Sequence, residues 1–409
     1  MSISLAFING NSVPEKRSGH VAVFHKGLLI VFGGYGDNRD DASDEFLYFK
    51  SIWCYSVEAS QWTRHNSKGT LPEKNTGACA AVIGKELFLF GGYLQSRGHS
   101  NQLSSLDLTT FTWKDLNDRT TGVTPSSRDK FGCWIDGQNI IYFGGFGHPP
   151  ENWSKVKGDF CFEEFPLAWS HGTGWNNHLH ILDTSLLIWS QPKGSGSVPS
   201  PRAAFSTTQI GRKCFLFGGR FKEHRRNDLY VLDSKSFHWT QLEPIGDSPS
   251  GRSWHVMENV SHNHLFIYGG FDNEGNALKD TWIYNISQNT WSELKTASKN
   301  LDIFAPRMWH TACKTDSPGE VLIFGGCINS IVDVVDRAKH TNTVSVFRFS
   351  PLSLRRQCLD FIMSNIVKYS GSVMELPQSL RRDIRHRSLA LGLRSPNGHG
   401  KLISNCQMM

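Results

Sequence analysis

LLIVFGG, residues 28–34, is an apolar run of strand length that stops on two glycines. A run of this length bounded by turn residues reads as a buried strand followed by a tight turn. The same signature returns as LFLFGG (87–92), IIYFGG (140–145), FLFGG (215–219), LFIYGG (265–270) and VLIFGG (321–326). Five of the six are followed by a further strand and a terminal tryptophan, giving Trp62, Trp113, Trp189, Trp239 and Trp291. Another strand precedes each one, usually opened by Pro-x-x-Arg or Pro-Arg, at Arg17, Arg128, Arg202, Arg252 and Arg307; Asn75 takes that place in the second repeat. A period of about 50 residues with four short strands per unit marks a β-propeller blade. The expected fold is all-β, a six-bladed propeller over residues 1–350. The sixth repeat lacks its tryptophan, and SISLAF, residues 2–7, is expected to supply the missing outer strand and close the ring.

Composition places limits on function. The 409 residues are 39% hydrophobic, enough for a large core, and no apolar run approaches the roughly 18 residues that span a bilayer. The start, MSISLAFING, lacks the basic and long apolar regions of a secretory leader. Nine scattered cysteines without a CxxC pair favour reduced thiols in a nuclear or cytoplasmic protein and argue against a zinc site. Residues 351–409 hold nine Lys/Arg against three Asp/Glu, which accounts for the whole net charge of +6, and residues 1–350 balance at 34 of each. A neutral body argues against nucleic acid as the partner. No G-x-S-x-G motif or phosphate-binding loop is present, and the pair His178 and His180 lacks an identifiable third metal ligand. No cofactor, metal or catalytic residue is expected.

Comparison among the repeats picks out one mouth of the channel. The position after each Gly-Gly and the position two beyond each strand-opening arginine lie on the same face of a propeller. The first set is Tyr35, Tyr93, Phe146, Arg220, Phe271 and Cys327, in which Arg220 is the only charge. The second is Gly19, Gly77, Lys130, Ala204, Trp254 and Trp309. Arg220, Arg225 and Lys130 thus share a face with Tyr35, Phe146, Trp254, Trp309 and Trp175 of the long third-blade loop. Ser253 adds a hydroxyl. Guanidinium groups hold a carboxylate through paired, charge-assisted bonds, so the expected ligand is anionic. The alternatives are an ion pair with a neighbouring acid for Arg220 and channel packing for the two tryptophans. The recurring arginines read as structural turn residues, and Lys222 and Arg226 as solvated charges.

The body resembles the kelch repeat family, through its double glycines and spaced aromatics. After Pro351 the period changes to helical, with Leu354, Cys358, Phe361 and Ile362 on one stripe. A second helix fits residues 375–387, with Leu376, Leu380 and Ile384 aligned and Pro377 in its first turn. Leu354, Cys358 and Phe361 resemble the elongin-binding BC box, and Leu376, Pro377 and Leu380 resemble the cullin-2 box. Residues 388–409 are expected to form a disordered basic tail, and its end, CQMM with Cys406, has the outline of a prenylation box, for which Gln407 is a poor fit.

A propeller followed by these boxes is similar to the kelch-domain-containing substrate receptors of cullin-2 RING ubiquitin ligases, which bind protein C-termini ending in glycine. The resemblance implies that the carboxylate is held by Arg220, Arg225 and Ser253, matching GGRFKEHR and GRSWH, with Lys130, Trp175, Trp254 and Trp309 as further pocket positions. Phe146 stands where that family carries a tyrosine, and Thr173 where it carries an arginine. The implied partners are elongin B and elongin C, cullin-2 and its RING subunit, and glycine-ended substrates, with no membrane. The rival reading is a non-catalytic kelch scaffold for actin or another protein, its C-terminal helices simply packing on the propeller.

Overall fold

The computed structural model describes residues 2–5, 13–37, 44–151, 159–164, 171–294, 305–330, 338–351, 354–365 and 372–390. Among these, six sheets, each built on four antiparallel strands, follow one another along the chain, and the second, third and fourth gain a fifth, parallel strand of two residues at Lys68–Gly69, Thr121–Gly122 and Ser195–Gly196. Their first strands are Val21–His25, Cys79–Ile83, Gly132–Asp136, Ser206–Ile210, Val256–Ser261 and Thr311–Lys314. Each of these packs beside the next, and the sixth packs beside the first, so they line the axis of a closed ring. The second strand of every blade is the run that ends in Gly-Gly; from Leu29 to Phe32 and from Val321 to Phe324 no residue is more than 1% exposed. Strands buried on both faces read as continuous apolar runs, which is why these six are so visible in the sequence.

The sixth blade takes its outer strand from the other end of the chain. Ser2–Leu5 runs antiparallel to Val344–Arg348, in the register Ser2 to Arg348 and Leu5 to Ser345. This arrangement also accounts for the missing sixth tryptophan. The tryptophan of one blade packs on the aromatic residue that precedes Gly-Gly in the blade before it: Trp113 on Phe32, Trp189 on Phe90, Trp239 on Phe143, Trp291 on Phe217 and Trp62 on Phe324, with ring centroids 4.8–5.5 Å apart. At the remaining joint Phe347 of the third strand takes the place of the indole, 5.3 Å from Tyr268. Aromatic pairs at these separations add to the stabilisation from burial alone.

Two rings of backbone hydrogen bonds tie the blades together at the mouth. In the first, the N–H groups of Gly77, Lys130, Ala204, Trp254, Trp309 and Gly19 donate in turn to the carbonyls of Gly19, Gly77, Lys130, Ala204, Trp254 and Trp309, at 2.8–3.0 Å. All six residues are left-handed, with φ between 55° and 68°. In the second, the second glycine of each pair donates to the residue that opens the next blade: Gly34 to Asn75, Gly92 to Arg128, Gly145 to Arg202, Gly219 to Arg252, Gly270 to Arg307 and Gly326 to Arg17, at 2.7–3.1 Å. A side chain at this glycine has no room, since a Cβ on Gly34 would lie 2.7 Å from the Ser18 carbonyl and from His20 Cβ.

Four of the five strand-opening arginines, Arg17, Arg128, Arg202 and Arg252, have the structural role expected of them, donating from Nη1 to the carbonyl of the first glycine, whereas Arg307 donates from Nη2 to Thr343 Oγ1 at 2.9 Å. Arg252, fully buried, donates from Nη1 to the Gly269 carbonyl (3.0 Å), from Nε to the Ser250 carbonyl (3.0 Å), and from both terminal nitrogens to Asp280 (2.7 Å each). Arg202 repeats the pattern with Gly218, Ser200 and Asp228. These bonds satisfy the carbonyl of the first glycine, which the turn has removed from the strand ladder.

Beyond the propeller, α1 (Leu354–Ser364) and α2 (Gln378–Ala390) pack against each other, with Arg355 paired to Asp383 at 2.6 Å. Leu359 and Ile384 are buried, and Arg356 Nη2 donates to the Val57 carbonyl of the first blade at 3.3 Å. The end of the basic tail, including Cys406, lies outside the described residues. No helix among the described residues is long and apolar enough to cross a membrane.

Candidate functional site

The fourth blade presents its two rim arginines on a two-residue hairpin. Arg220–Phe221 pairs with His224–Arg225 so that Arg220 lies directly opposite Arg225. Lys222 makes the turn with φ 53°, a left-handed conformation that is strained for a residue with a side chain. Anchors on each side hold the hairpin in place. Arg220 exchanges two backbone bonds with Ala203 (2.7 and 3.0 Å), and Lys222 is ion-paired to Glu164 of the third-blade loop. On the other flank, Asn273 accepts from the Arg225 N–H (2.8 Å) and donates to the Arg225 carbonyl (3.1 Å).

The guanidinium groups are only partly used by the protein. Arg225 Nε donates to Ser253 Oγ at 3.1 Å, and the group lies 4.6 Å from the centroid of the Phe271 ring. Ser253 is itself fixed to Phe271 by two backbone bonds of 2.8 and 3.0 Å. Among the described residues no carboxylate is in ion-pair contact with Arg225. Burial, reinforced by the neighbouring Arg220 charge, lowers the Arg225 pKa from the usual arginine range, against the pull of Asp272 and Glu223. Arg220 Nε donates to the Lys222 carbonyl (2.6 Å), its guanidinium lies 5.9 Å from the Trp175 ring, and Nη2 is 3.5 Å from Glu223 Oε1. Two half-buried cations held side by side in a partly desolvated place favour an anion strongly.

Aromatic groups flank the two arginines. Phe146, Trp175 and Phe221 stand beside Arg220, with ring centroids 5.1 and 5.8 Å apart. Beside Arg225, Trp254 lies 5.1 Å from Trp309 and 5.9 Å from Phe271. Trp254 and Trp309 also line a cavity of about 190 Å³ in the channel, together with Gly19, Gly77, Lys130 and Ala204.

Not every expected site residue joins this group. Lys130 sits on the ring next to Ala204, but its ammonium is 2.6 Å from Asp129 Oδ2, a buried carboxylate that offsets its charge. Tyr35 packs on Phe46 and His340 at the first-blade rim, 5.4 and 5.8 Å away, with no contact to either arginine among those described. Arg226, expected to be a solvated charge, has a buried Nε and places its guanidinium 6.0 Å from the Phe221 ring. His178 is 3.2 Å from Asp159, and no group of three potential metal ligands occurs among the described residues.

Sequence reasoning missed Phe271, Phe221, Asn273 and Asp129 as parts of the site. Phe271 had a signal, since it is the residue after Gly-Gly in the blade that supplies Ser253. Asn273 had none, because its contact with Arg225 spans 48 positions.

On the C-terminal helices, Leu354 and Phe361 are 76% and 58% exposed and Cys358 is exposed as well, whereas Leu359 faces inward. Leu376 and Leu380 are half-buried and Pro377 is exposed. The apolar stripe of α1 therefore faces solvent.

The model of the KLHDC2/KLHL20/DRC7 Kelch-repeats domain matches residues 2–153 and 169–326. Kelch domain-containing protein 2 of Bos taurus is 40% identical over 381 residues, covering 91% of each chain, and its Homo sapiens counterpart is 39% identical over the same share. Kelch domain-containing protein 1 of Mus musculus is 35% identical over 380 residues, 91% of this chain and 90% of its own. With its six blades, its glycine turns and these relatives, the chain belongs to the kelch-repeat family of kelch domain-containing proteins.

Proposed function

We propose that this protein is the substrate-recognition subunit of a cullin-2 RING ubiquitin ligase and that its channel mouth holds the C-terminal carboxylate of proteins ending in glycine. The observation that carries this reading is the pair Arg220 and Arg225, opposite each other on one hairpin, with Arg225 bonded to Ser253 and in no ion pair among the described residues. A chain end offers one carboxylate, which two guanidiniums and a hydroxyl can share. Rings on both sides leave room for glycine, whose backbone passes where a larger side chain would clash. Cations supply affinity and the walls supply selection. The receptor performs no chemistry of its own; ubiquitin transfer belongs to the RING subunit and its partners. The exposed Leu354, Cys358 and Phe361 support docking on elongin as a helix in a groove, with Leu376, Pro377 and Leu380 meeting cullin-2.

The test is a panel of peptides that end in glycine, read by fluorescence anisotropy. Binding is expected to vanish when the terminal carboxylate is amidated. Equal binding of acid and amide forms would reject the carboxylate reading. The ligase half is tested separately, by recovery of elongin and cullin with the full chain and by its loss on Leu354→Ala with Cys358→Ala.

A further inference from the structure

The hairpin that carries the two rim arginines also carries a carboxylate. Lys222 and Glu223 form its turn, and the left-handed Lys222, tied to Glu164, sets the path by which Glu223 turns back on the strand. Glu223 Oε1 reaches Arg220 Nη2 at 3.5 Å, a long contact for an ion pair, and Glu223 is 68% exposed where Arg220 is 34% exposed. Arg225, the opposite member of the pair, has no such partner among the described residues. The Glu223 charge also acts on Arg225 through space. A long, solvent-exposed pair is weakly held and readily exchanged.

We infer that Glu223 is an internal competitor for the carboxylate site: it occupies Arg220 in the free protein and is displaced when a chain-terminal carboxylate arrives. The inference rests on the proposed reading of the mouth and adds to it a residue that sets affinity. Glu223 lowers the attraction of the site for any anion, so that a ligand bearing a single carboxylate must bring both arginines and Ser253 into use before it outcompetes the built-in one. Weak anions that reach Arg220 alone are turned away. Asp272, the other acid acting on Arg225, is buried and occupied by the Asn276 N–H at 2.7 Å, so it is not available for the same exchange.

The experiment compares the full chain with Glu223→Gln and with Glu274→Gln. Glu274 is an exposed acid on the neighbouring fifth-blade hairpin, with no ion pair among the described residues. Glycine-ended peptides are titrated in acid and amide form. Glu223→Gln is expected to tighten binding of the acid form about two- to fivefold, the range for loss of an exposed ion pair, with Glu274→Gln changing it less. Unchanged or weaker binding by Glu223→Gln overturns the inference, weaker binding meaning that Glu223 positions Arg220 instead of competing for it. An equal gain from Glu274→Gln also overturns it, since general charge would then be the cause. If the native chain fails to discriminate acid from amide, the reading of the mouth falls first and this inference with it. If the native chain does discriminate and Glu223→Gln gains nothing, only this inference falls.

Discussion

Arg252 and Arg225 lie within one corner of the propeller and serve opposite ends. Arg252 is fully buried, and its guanidinium reaches two carbonyls, the Ser250 hydroxyl and both oxygens of Asp280. Arg225 is half-buried over Phe271 and uses one side-chain donor, on Ser253. The residue type is the same, and what differs is how much of its hydrogen-bonding capacity the protein has already used. A guanidinium whose donors are all engaged holds the fold together; one with donors left over, and no acid in ion-pair contact among the described residues, is available to a ligand.

Removing each arginine should separate the two roles. Arg252→Ala leaves the partly buried Asp280 without its cation and the Gly269 carbonyl without its donor, and the expected loss is about 3 kcal/mol of folding stability, read by chemical denaturation. Arg225→Ala should cost about 2–5 kcal/mol in peptide binding, a weakening of about 30-fold or more, while stability moves by less than about 1 kcal/mol. If Arg225→Ala unfolds the protein as readily as Arg252→Ala, the distinction between spent and available donors is wrong.

The buried arginines also act on their neighbours. His20, His255 and His310 each stand three residues beyond a strand-opening arginine, and all three are buried. Burial first, and then the charges of Arg17, Arg252 and Arg307 respectively, hold the three well below the ordinary histidine pKa, with His340 adding to the effect on His20. The folded protein keeps them neutral while the unfolded chain takes up protons near pH 6.5. Their contribution is therefore complete above about pH 6.5 and is lost as pH falls below it, by about 2 kcal/mol for the three between pH 7 and pH 6. Denaturation midpoints that stay flat across that interval would contradict this. Among the described residues neither rim arginine bonds to a histidine through its side chain, so peptide binding should change less over the same interval than stability does.

Much of the propeller was legible because its turns are dictated by sterics that only particular residues satisfy. A second glycine at φ 91–109° is needed in every blade, and so it recurs visibly. The same internal comparison exposed Arg220, since a charge among aromatic rim residues breaks a pattern that the fold maintains. Features decided by pairing across the ring were not legible. Asp129, which holds the Lys130 ammonium at 2.6 Å, is buried beside His99 of the second blade, 3.7 Å away. Phe347 fills the place of a tryptophan from a different strand. Asn273 grips Arg225 from another blade. None of these three alters local periodicity, so none leaves a trace that a single sequence can show.

The ring of left-handed residues extends the contrast to the backbone, with the smallest expected effect. Gly19 and Gly77 share one conformation and one hydrogen-bonding role with Lys130, Trp254 and Trp309, so the scaffold demands the dihedral and leaves the side chain to serve the mouth. At Gly77 a Cβ would meet Asp129 Cβ at 3.5 Å and Lys130 Cγ at 3.6 Å, ordinary contact distances. Gly77→Ala should therefore cost only the left-handed strain, about 1 kcal/mol. At Gly19 the same Cβ would lie 2.1 Å from Thr76 Oγ1, which is itself bonded to the Gly19 carbonyl at 2.9 Å. Gly19→Ala must displace that hydroxyl and break its bond, so its cost should exceed that of Gly77→Ala by about 1 kcal/mol or more. Equal costs for the two substitutions would mean that the dihedral alone governs the ring and that Thr76 gives way freely; unequal costs in the stated order would show that the first blade needs glycine for space and the second only for conformation.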